Sequence, residues 1–285
     1  MTAPRLGLLT ALVMVAFALN SILNRLAVAS SAATPEAFAL VRVAAGAAVL
    51  WALAGRRVGG PARHWAGAAT LTLYLVGFSL AYARLDAGLG AMILFGGVQI
   101  TMFAGALWRG QPVPPRRWAG AAIALVGLGV LLAPTGPAQV SGLGAALMGA
   151  AALGWGLYSL IGQGSADPTA DTAGNFLWAV PLVALAGVAT GFGGAVPTAA
   201  GVALAVVSGA VTSGLGYALW YAVLPGLRAT RGAVAQLSVP LIAVALGALA
   251  LGEPVTWRLV LAAVLITGGV GLSLLPQRRI GSNGS

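Results

Sequence analysis

The stretch Gly247-Ala-Leu-Ala-Leu-Gly-Glu-Pro-Val255 has a close counterpart in Gly105-Ala-Leu-Trp-Arg-Gly-Gln-Pro-Val113. The offset between them, 142 residues, is about half of the chain, and it also aligns Pro134 with Pro276. Each copy is the end of an apolar run followed by a turn sequence containing Gly and Pro. Such a pattern is typical of a membrane helix that ends at the bilayer surface. The two copies therefore indicate an internally duplicated set of membrane helices.

Outward from these copies, clusters of Pro, Gly and charge divide the chain into apolar segments. Of the 285 residues, 59% are hydrophobic and 7% are charged, whereas soluble domains carry about 25% charged residues. A helix needs about 20 apolar residues to cross a bilayer. We predict an all-α integral membrane protein with ten transmembrane helices. The predicted spans are approximately 6–29, 35–54, 66–84, 87–108, 117–133, 140–163, 172–191, 198–222, 229–251 and 256–275.

A second match, at an offset of 138 residues, aligns Phe17-Ala-Leu-Asn-Ser21 with Trp155-Gly-Leu-Tyr-Ser159. Spans 1–5 therefore correspond to spans 6–10. Because five is odd, the second set must cross the membrane in the opposite sense, which predicts two inverted five-helix repeats. We assign residues 1–137 to the first repeat, 138–279 to the second, and 280–285 to a non-native expression tail. Inverted repeats place a substrate site near the midplane between the halves and allow alternating access.

The arginines predict the orientation, because positive charge is enriched in cytoplasmic loops. With cytoplasmic termini, eleven arginines lie inside and two outside, and Arg25 and Arg42 lie within or near spans. The inside set is Arg5, Arg56, Arg57, Arg63, Arg109, Arg116, Arg117, Arg228, Arg231, Arg278 and Arg279, and the outside set is Arg84 and Arg258. The sequence therefore predicts a multi-pass protein of a bacterial-type inner membrane with both termini cytoplasmic.

Several function classes are disfavoured by composition. The chain has no lysine and no cysteine, which excludes a Walker A lysine, a lysine Schiff base and a thiolate metal site. His64, the one histidine, falls in a predicted loop and cannot form a multi-histidine metal site. The net charge of +10 follows the topology, so we expect no nucleic-acid partner. We predict no metal, no cofactor and no enzymatic activity. The partners that we expect are a small-molecule substrate and the lipid bilayer.

The ten spans, the two halves and the Gly252-Glu-Pro-Val255 ending of the penultimate helix resemble the EamA-type transporters of the drug/metabolite transporter superfamily. The second half carries this resemblance further, in Ala235-Gln-Leu-Ser-Val-Pro240 and Gly268-Gly-Val-Gly271. The first half departs from the family pattern at Gly97-Val-Gln99 and at Gln111. Leu94-Phe-Gly-Gly-Val-Gln-Ile-Thr101 and the aromatic third span are similar to bacterial aromatic amino acid and methyl viologen exporters. The resemblance implies export of amino acids, with aromatic ones preferred, and of related small metabolites.

Polar side chains inside apolar spans are candidate substrate-binding residues. Asn20 and Asn24 lie four residues apart, on the same face of span 1. Gln99 and Gln236 occupy matching regions of spans 4 and 9, one in each half. Each of these amides can hydrogen-bond a substrate, and each can equally hold neighbouring helices together.

Aromatic side chains form the rest of the candidate site. Tyr74, Phe78 and Tyr82 form a stripe with a spacing of four residues on span 3, and Phe95 and Gln99 form a similar pair on span 4. The other candidates are Trp155, Tyr158, Trp178 and Tyr217. The alternative is a packing or lipid-facing stripe, but tyrosine hydroxyls deep in a span need polar partners. We predict a cavity that accepts a flat apolar ring.

Arg42 lies inside span 2, where we expect it to snorkel outward or to pair with Glu36 rather than to attract a substrate carboxylate. Because so little positive charge lies within the spans, neutral or zwitterionic substrates are favoured. All five acids, Glu36, Asp86, Asp167, Asp171 and Glu253, fall at span ends or in loops. Proton and sodium coupling usually need a buried carboxylate. We therefore predict facilitated diffusion or exchange.

Three other functions compete with amino acid export. An exporter of amphipathic drugs or other metabolites would have the same fold. An intramembrane enzyme would need histidine, paired carboxylates or a metal cluster at membrane depth. A channel would need pore-lining polar residues repeated around a symmetric oligomer, whereas the repeat predicted here is internal and inverted.

Overall fold

The computed structural model describes residues 2–55, 58, 61–111, 113–133, 140–163, 165–227, 232 and 235–274, and the side chains of 61–63 are not included. This part of the chain is α-helical and contains no strand. The helices are α1 Ala3–Ala29, α2 Pro35–Ala54, α3 Pro61–Tyr82, α4 Ala87–Trp108, α5 Pro115–Leu132, α6 Gly142–Gly162, α7 Pro168–Thr190, α8 Ala199–Val207, α9 Gly216–Val223, α10 Ser238–Leu251 and α11 Trp257–Leu274. A π-helical segment, Ser208–Leu215, joins α8 to α9.

Helix starts and ends follow the local sequence. The Thr34 hydroxyl accepts a hydrogen bond from the backbone N–H of Ala37 at the start of α2, and the Asp167 carboxylate accepts one from Ala170 at the start of α7. Such side-chain acceptors satisfy N–H groups that lack a partner within the helix. Gly252 ends α10 in the left-handed conformation, with φ of 67°, which glycine adopts without steric cost. The duplicated Gly-X-Pro stretch is thus a helix stop.

The prediction of an all-α membrane protein is confirmed. Nine helical stretches in the described residues are long and apolar enough to cross a membrane, among them α8, the π-helical segment and α9 taken together as Ala199–Gly226. α10 is shorter, with 14 residues, and the start of the ninth predicted span falls partly outside the described residues. The division at 137/138 into inverted repeats stays a prediction, and 280–285 lie outside the described residues.

The predicted loop position of His64 is wrong. α3 begins at Pro61, five residues before the predicted start, so that His64 lies within the helix and is buried. A Cβ atom on Gly174 would overlap the His64 ring, so the absence of a side chain there gives the imidazole its space against α7. The contact partner is about 110 residues away, and hydropathy carries no signal of it.

The helices pack so that a few of them surround an aromatic interior. α3 packs against α6 and α7, α2 packs against α7 and the π-helical segment, and α1 packs against α10 and the π-helical segment. α4 lies between α6 and α10, and α5 packs against α11. We call the end of the bundle that contains Arg25, Asp86 and Glu253 the Arg25 end, and the end that contains Arg109 and Gln163 the Arg109 end.

Candidate functional site

Arg42, on α2, lies inside the bundle and is completely buried, with 0% of its surface exposed. Its Nε donates a hydrogen bond to Ser213 Oγ at 3.2 Å, and its Nη2 donates to the Tyr74 hydroxyl at 3.0 Å. The third nitrogen, Nη1, is buried without a hydrogen-bond partner. The guanidinium therefore links α2 to α3 and to the π-helical segment, and it keeps donor capacity that no group in the described part of the chain uses.

The expectation that Arg42 snorkels outward or pairs with Glu36 is wrong. Glu36 precedes Arg42 by six residues, which on a helix separates the two side-chain directions by about 120°. The arginine instead points toward α3, where its guanidinium carbon lies 5.4 Å from the ring centre of Tyr74 and 5.1 Å from that of Phe78. Ring faces attract a cation electrostatically, so the two rings partly replace the lost water.

The predicted stripe on α3 forms a continuous row of rings. The ring centres of Tyr74 and Phe78 are 5.2 Å apart, and those of Phe78 and Tyr82 are 4.7 Å apart. All three side chains are buried, as the spacing of four residues on one helix face allows. Trp155, from α6, lies 5.0 Å from Tyr74 and extends the row toward the second half of the chain.

Trp155 is half-buried and lies between two tyrosine rings. Its ring centre is 5.3 Å from that of Tyr158 and 5.4 Å from that of Tyr217, with the planes inclined by 25° and 22°. The Tyr217 ring also packs edge-to-face against Phe17 and Phe176, with ring-centre distances of 5.5 Å and 5.8 Å. α1, α3, α6, α7 and α9 thus all contribute rings to one cluster, and near-parallel planes offer flat surfaces for stacking.

Two glycines let the backbones approach closely enough to form this cluster. A Cβ atom on Gly154 would lie 2.7 Å from both the carbonyl oxygen of Thr70 and the backbone nitrogen of Tyr74. A Cβ atom on Gly209, in the π-helical segment, would overlap the carbonyl oxygen of Arg42. Trp155 reaches Tyr74, and Ser213 reaches Arg42, because neither glycine carries a side chain.

The two asparagines of α1 face the same interior. Asn20 Oδ1 accepts hydrogen bonds from the Ser208 hydroxyl at 2.9 Å and from the Thr212 hydroxyl. Asn24 Nδ2 donates to Ser79 Oγ at 2.8 Å, whereas Asn24 Oδ1 is buried without a partner. Asn20 therefore contributes to helix packing, while Asn24 keeps one acceptor free.

A chain of hydrogen bonds leads from the aromatic cluster into α7 and α3. The Tyr158 hydroxyl donates to Thr172 Oγ1 at 3.3 Å, and the Thr172 and Tyr221 hydroxyls are 2.9 Å apart. Asn175 Nδ2 donates to the Tyr158 hydroxyl at 3.5 Å, and Asn175 Oδ1 lies 3.0 Å from His64 Nδ1. These bonds satisfy the phenol hydroxyls of Tyr158 and Tyr221.

The remaining predicted residues make none of the contacts with Arg42 described above. Phe95 and Trp178 are half-buried and pack against the hydrophobic core. Gln99 lines a pocket of about 240 Å³ at the Arg109 end, together with Arg109, Gln163 and Ser273. Gln236 is half-buried and does not line that pocket, so the structure does not bring the two glutamines together there.

Several interior residues were not among the predicted site residues, including Arg42, His64, Ser213 and Tyr221. For Arg42 a signal existed, since charge inside an apolar span is expensive and usually functional. The sequence around the other three gives no such signal, and only their hydrogen bonds to other helices identify them.

A separate ionic cluster lies at the Arg25 end. Arg25 Nη2 is 3.2 Å from Asp86 Oδ1, and Arg25 Nε is 3.7 Å from Glu253 Oε1. The Glu253 carboxylate also accepts hydrogen bonds from the backbone N–H groups of Ala87 at 2.7 Å and of Gly88 at 3.3 Å. Glu253 thus joins the end of α10 to the start of α4 and to α1, and the Gly-Glu-Pro stretch of the second copy acquires a structural role.

Desolvation raises the pKa of Glu253 above its ordinary value, because the carboxylate is half-buried between α4 and α10. The hydrogen bonds from Ala87 and Gly88 and the positive charge of Arg25 act in the opposite direction. A pocket of about 540 Å³ lies beside this cluster and is lined in part by Asp86, Glu253 and Trp257. The bundle therefore has a pocket at each end and the aromatic cluster between them.

These features define the class of the protein. Long apolar helices, a buried polar and aromatic interior, and charge confined mainly to the helix ends are the properties of a multi-pass membrane protein with an internal binding region.

Comparison with known proteins gives the family. Residues 142–275 match the model of the EamA-like transporter family. A Pseudomonas aeruginosa protein described as "Uncharacterized protein PA1977" is 47% identical over 274 residues, which cover 95% of this chain and 94% of the relative. A solved crystal structure matches with a TM-score of 0.68 and 20% identity, covering 98% of this chain and 99% of its own, and it supports the fold alone.

The chain belongs to the EamA-like transporter family. The resemblance to EamA-type transporters is confirmed, and the protein is a membrane transporter of small molecules. The narrower resemblance to aromatic amino acid exporters stays a prediction.

Proposed function

We propose that the protein exports amino acids, with aromatic ones preferred, and related small metabolites by alternating access. The membrane is a bacterial-type inner membrane, and both termini are cytoplasmic. In that orientation the Arg25 end faces outward and the Arg109 end faces the cytoplasm. The family supports small-molecule transport, and the chemistry of the interior supports the choice of substrate.

The observation that carries the proposal is the position of Trp155 between Tyr158 and Tyr217, next to Tyr74. A flat substrate ring can stack on one of these side chains in place of its present aromatic neighbour, at the same separation. α3 lies in the first predicted repeat, whereas α6 and α9 lie in the second. A ring bound here contacts both repeats, as alternating access requires.

The proposed binding residues contact the substrate through two kinds of group. The amides and phenol hydroxyls bind its polar groups, and the rings bind its apolar part. The proposed set is Asn20, Asn24, Tyr74, Phe78, Tyr82, Phe95, Gln99, Trp155, Tyr158, Trp178, Tyr217 and Gln236.

Transport is tested with the purified protein in proteoliposomes and labelled L-phenylalanine, L-tryptophan and L-leucine. We expect Trp155→Ala to lower uptake of the two aromatic amino acids by roughly tenfold, because it removes the central stacking partner. Trp108→Ala is the matched control, since Trp108 lies at the end of α4 with 91% of its surface exposed. Uptake of none of the three amino acids, with transport of an amphipathic drug, would contradict the substrate assignment.

We propose facilitated diffusion or exchange as the mode of transport, because the carboxylates lie at the helix ends and in the loops. An imposed pH gradient without a substrate gradient then drives no uptake. Uptake that follows the pH gradient would show proton coupling instead.

The main alternative substrate is an amphipathic drug. Many such compounds are cations, and the buried positive charge of Arg42 repels a cation in a low-dielectric interior. This charge favours zwitterions over cationic drugs. An intramembrane enzyme, the remote alternative, is disfavoured because the family consists of transporters.

A further inference from the structure

We propose that the Arg42 guanidinium binds the carboxylate of the transported molecule, so that substrates of this protein are carboxylate-bearing ring compounds. The inference deepens the proposed function and rests on it, and it adds a residue outside the predicted binding set. It starts from the free donor capacity of a side chain that is completely buried and charged.

A guanidinium stays protonated in proteins. A charged side chain in the interior of a membrane protein is costly, and such residues almost always face a partner, a cavity or a transport pathway. Arg42 has hydroxyl groups and ring faces around it, which are neutral. The positive charge is therefore solvated but not neutralised by its contacts.

The acids of the chain lie elsewhere. Asp86 and Glu253 pair with Arg25 at the end of the bundle. Asp167 caps α7, and Asp171 accepts a hydrogen bond from Ser165 near the same helix start. Glu36 lies in the first turn of α2, roughly 9 Å along the helix axis from Arg42. The two ion pairs described above belong to Arg25, and none of the described contacts of Arg42 is with a carboxylate.

The geometry of the free donors fits a carboxylate. Tyr74 accepts one hydrogen from Nη2, and Ser213 accepts the hydrogen of Nε. Both hydrogens of Nη1 and one hydrogen of Nη2 remain. When Tyr74 takes the Nη2 hydrogen on the Nε side, one free N–H of Nη1 and one of Nη2 lie parallel at the end of the planar fork. Parallel N–H groups of this kind bind the two oxygens of one carboxylate.

The surroundings of Arg42 define the rest of the ligand. Tyr74 and Phe78 contact the guanidinium, and Trp155 contacts Tyr74, so a carboxylate held by Arg42 has its substituent among aromatic rings. Asn24, whose Nδ2 donates to Ser79 next to Phe78 on α3, also carries a buried acceptor without a partner among the described residues, Oδ1. A free cationic donor and a free acceptor near a ring cluster complement an aromatic amino acid zwitterion.

The first test compares ligands on the wild-type protein in detergent, with thermal unfolding as the readout. The probes are L-phenylalanine, 3-phenylpropionate, L-phenylalanine amide and phenethylamine, of which the first two carry a carboxylate. We expect the two carboxylates to raise the unfolding temperature and the other two to have no effect at equal concentration. Equal stabilisation by the amide or the amine would overturn the proposal, and this comparison needs no variant to fold.

The second test uses Arg42→Gln, Arg42→Lys and the control Arg5→Gln, which removes an exposed arginine near the N-terminus. We expect Arg42→Gln to weaken L-phenylalanine binding and transport at least about tenfold, and Arg42→Lys to restore part of the loss, because lysine keeps the charge without the fork. Wild-type affinity in Arg42→Gln would overturn the proposal.

The two proposals fail in different ways. If no amino acid is transported, but 3-phenylpropionate stabilises the wild type and not Arg42→Gln, the carboxylate site stands and amino acid export is wrong. If L-phenylalanine is transported equally by the wild type and Arg42→Gln, export stands and the role of Arg42 is wrong.

Discussion

The two arginines inside the bundle have opposite surroundings. Arg25, near one end, contacts two carboxylates, and its cluster joins α1, α4 and the end of α10. Arg42, in the aromatic interior, contacts hydroxyl groups and rings only, and one of its nitrogens has no partner. A paired charge contributes to holding helices together, whereas an unneutralised buried charge reduces stability unless something binds to it. The contrast separates a structural arginine from the arginine that we propose to bind the substrate.

The largest expected effect on stability is at the paired arginine. Arg25→Gln leaves Glu253 and Asp86 without their cation, so we expect the free energy of unfolding to fall by about 1–3 kcal/mol, below the range for fully buried pairs. Thermal unfolding in one detergent measures the change. Arg84→Gln, which removes an exposed arginine at the same end, is the control and should change stability by less than about 0.5 kcal/mol. Equal effects of the two substitutions would contradict a structural role of Arg25.

A smaller effect of the opposite sign is expected at Arg42. Arg42→Met removes an unneutralised buried charge and fills the space with a flexible apolar side chain, so without ligand we expect a gain of about 1 kcal/mol. The measurement is again thermal unfolding, with and without L-phenylalanine. Strong destabilisation of the ligand-free protein by Arg42→Met would show that the arginine is structural, like Arg25.

The smallest effect is a pH dependence at the Arg25 end. Because the pKa of Glu253 is raised in the folded protein, the folded state keeps its proton to a higher pH than the unfolded chain does. The resulting stabilisation is complete below the ordinary pKa of 4.5 and is lost as pH rises through the raised value. The difference in unfolding temperature between wild type and Glu253→Gln should therefore fall as pH rises from 4 to 7. A difference in unfolding temperature that stays constant or rises with pH would contradict the raised pKa of Glu253.

The comparison of the two arginines also shows which features can be predicted from the sequence alone. Span positions such as 35–54 and 87–108 coincide with α2 and α4, because length, apolarity and turn residues act locally. The ring row Tyr74, Phe78 and Tyr82 follows from helical spacing alone. The inward direction of the Arg42 side chain does not follow from the local sequence. It depends on contacts with Tyr74 and Ser213, which are 32 and 171 residues away.

Local signals also fail where a helix departs from regular geometry. The hydropathy of 198–222 predicts one uniform span, and nothing in its composition indicates the π-helical segment. Its hydroxyl groups, from Ser208, Thr212 and Ser213, contact Asn20 and Arg42 on two different helices. Those contacts, rather than local propensity, are the features that distinguish this stretch.

The π-helical segment also has a consequence for sequence alignment. Its turns hold more residues than α-helical turns do, and this spacing directs Thr212 toward α1 and Ser213 toward α2. A relative one residue shorter between Ser208 and Leu215 can close the stretch as an ordinary α-helix, and the helix on either side keeps its orientation, because a π-helical turn accommodates one extra residue. Such a relative has one residue fewer in the stretch whose hydroxyl groups contact Asn20 and Arg42. A one-residue gap in this stretch therefore indicates different contacts with α1 and α2.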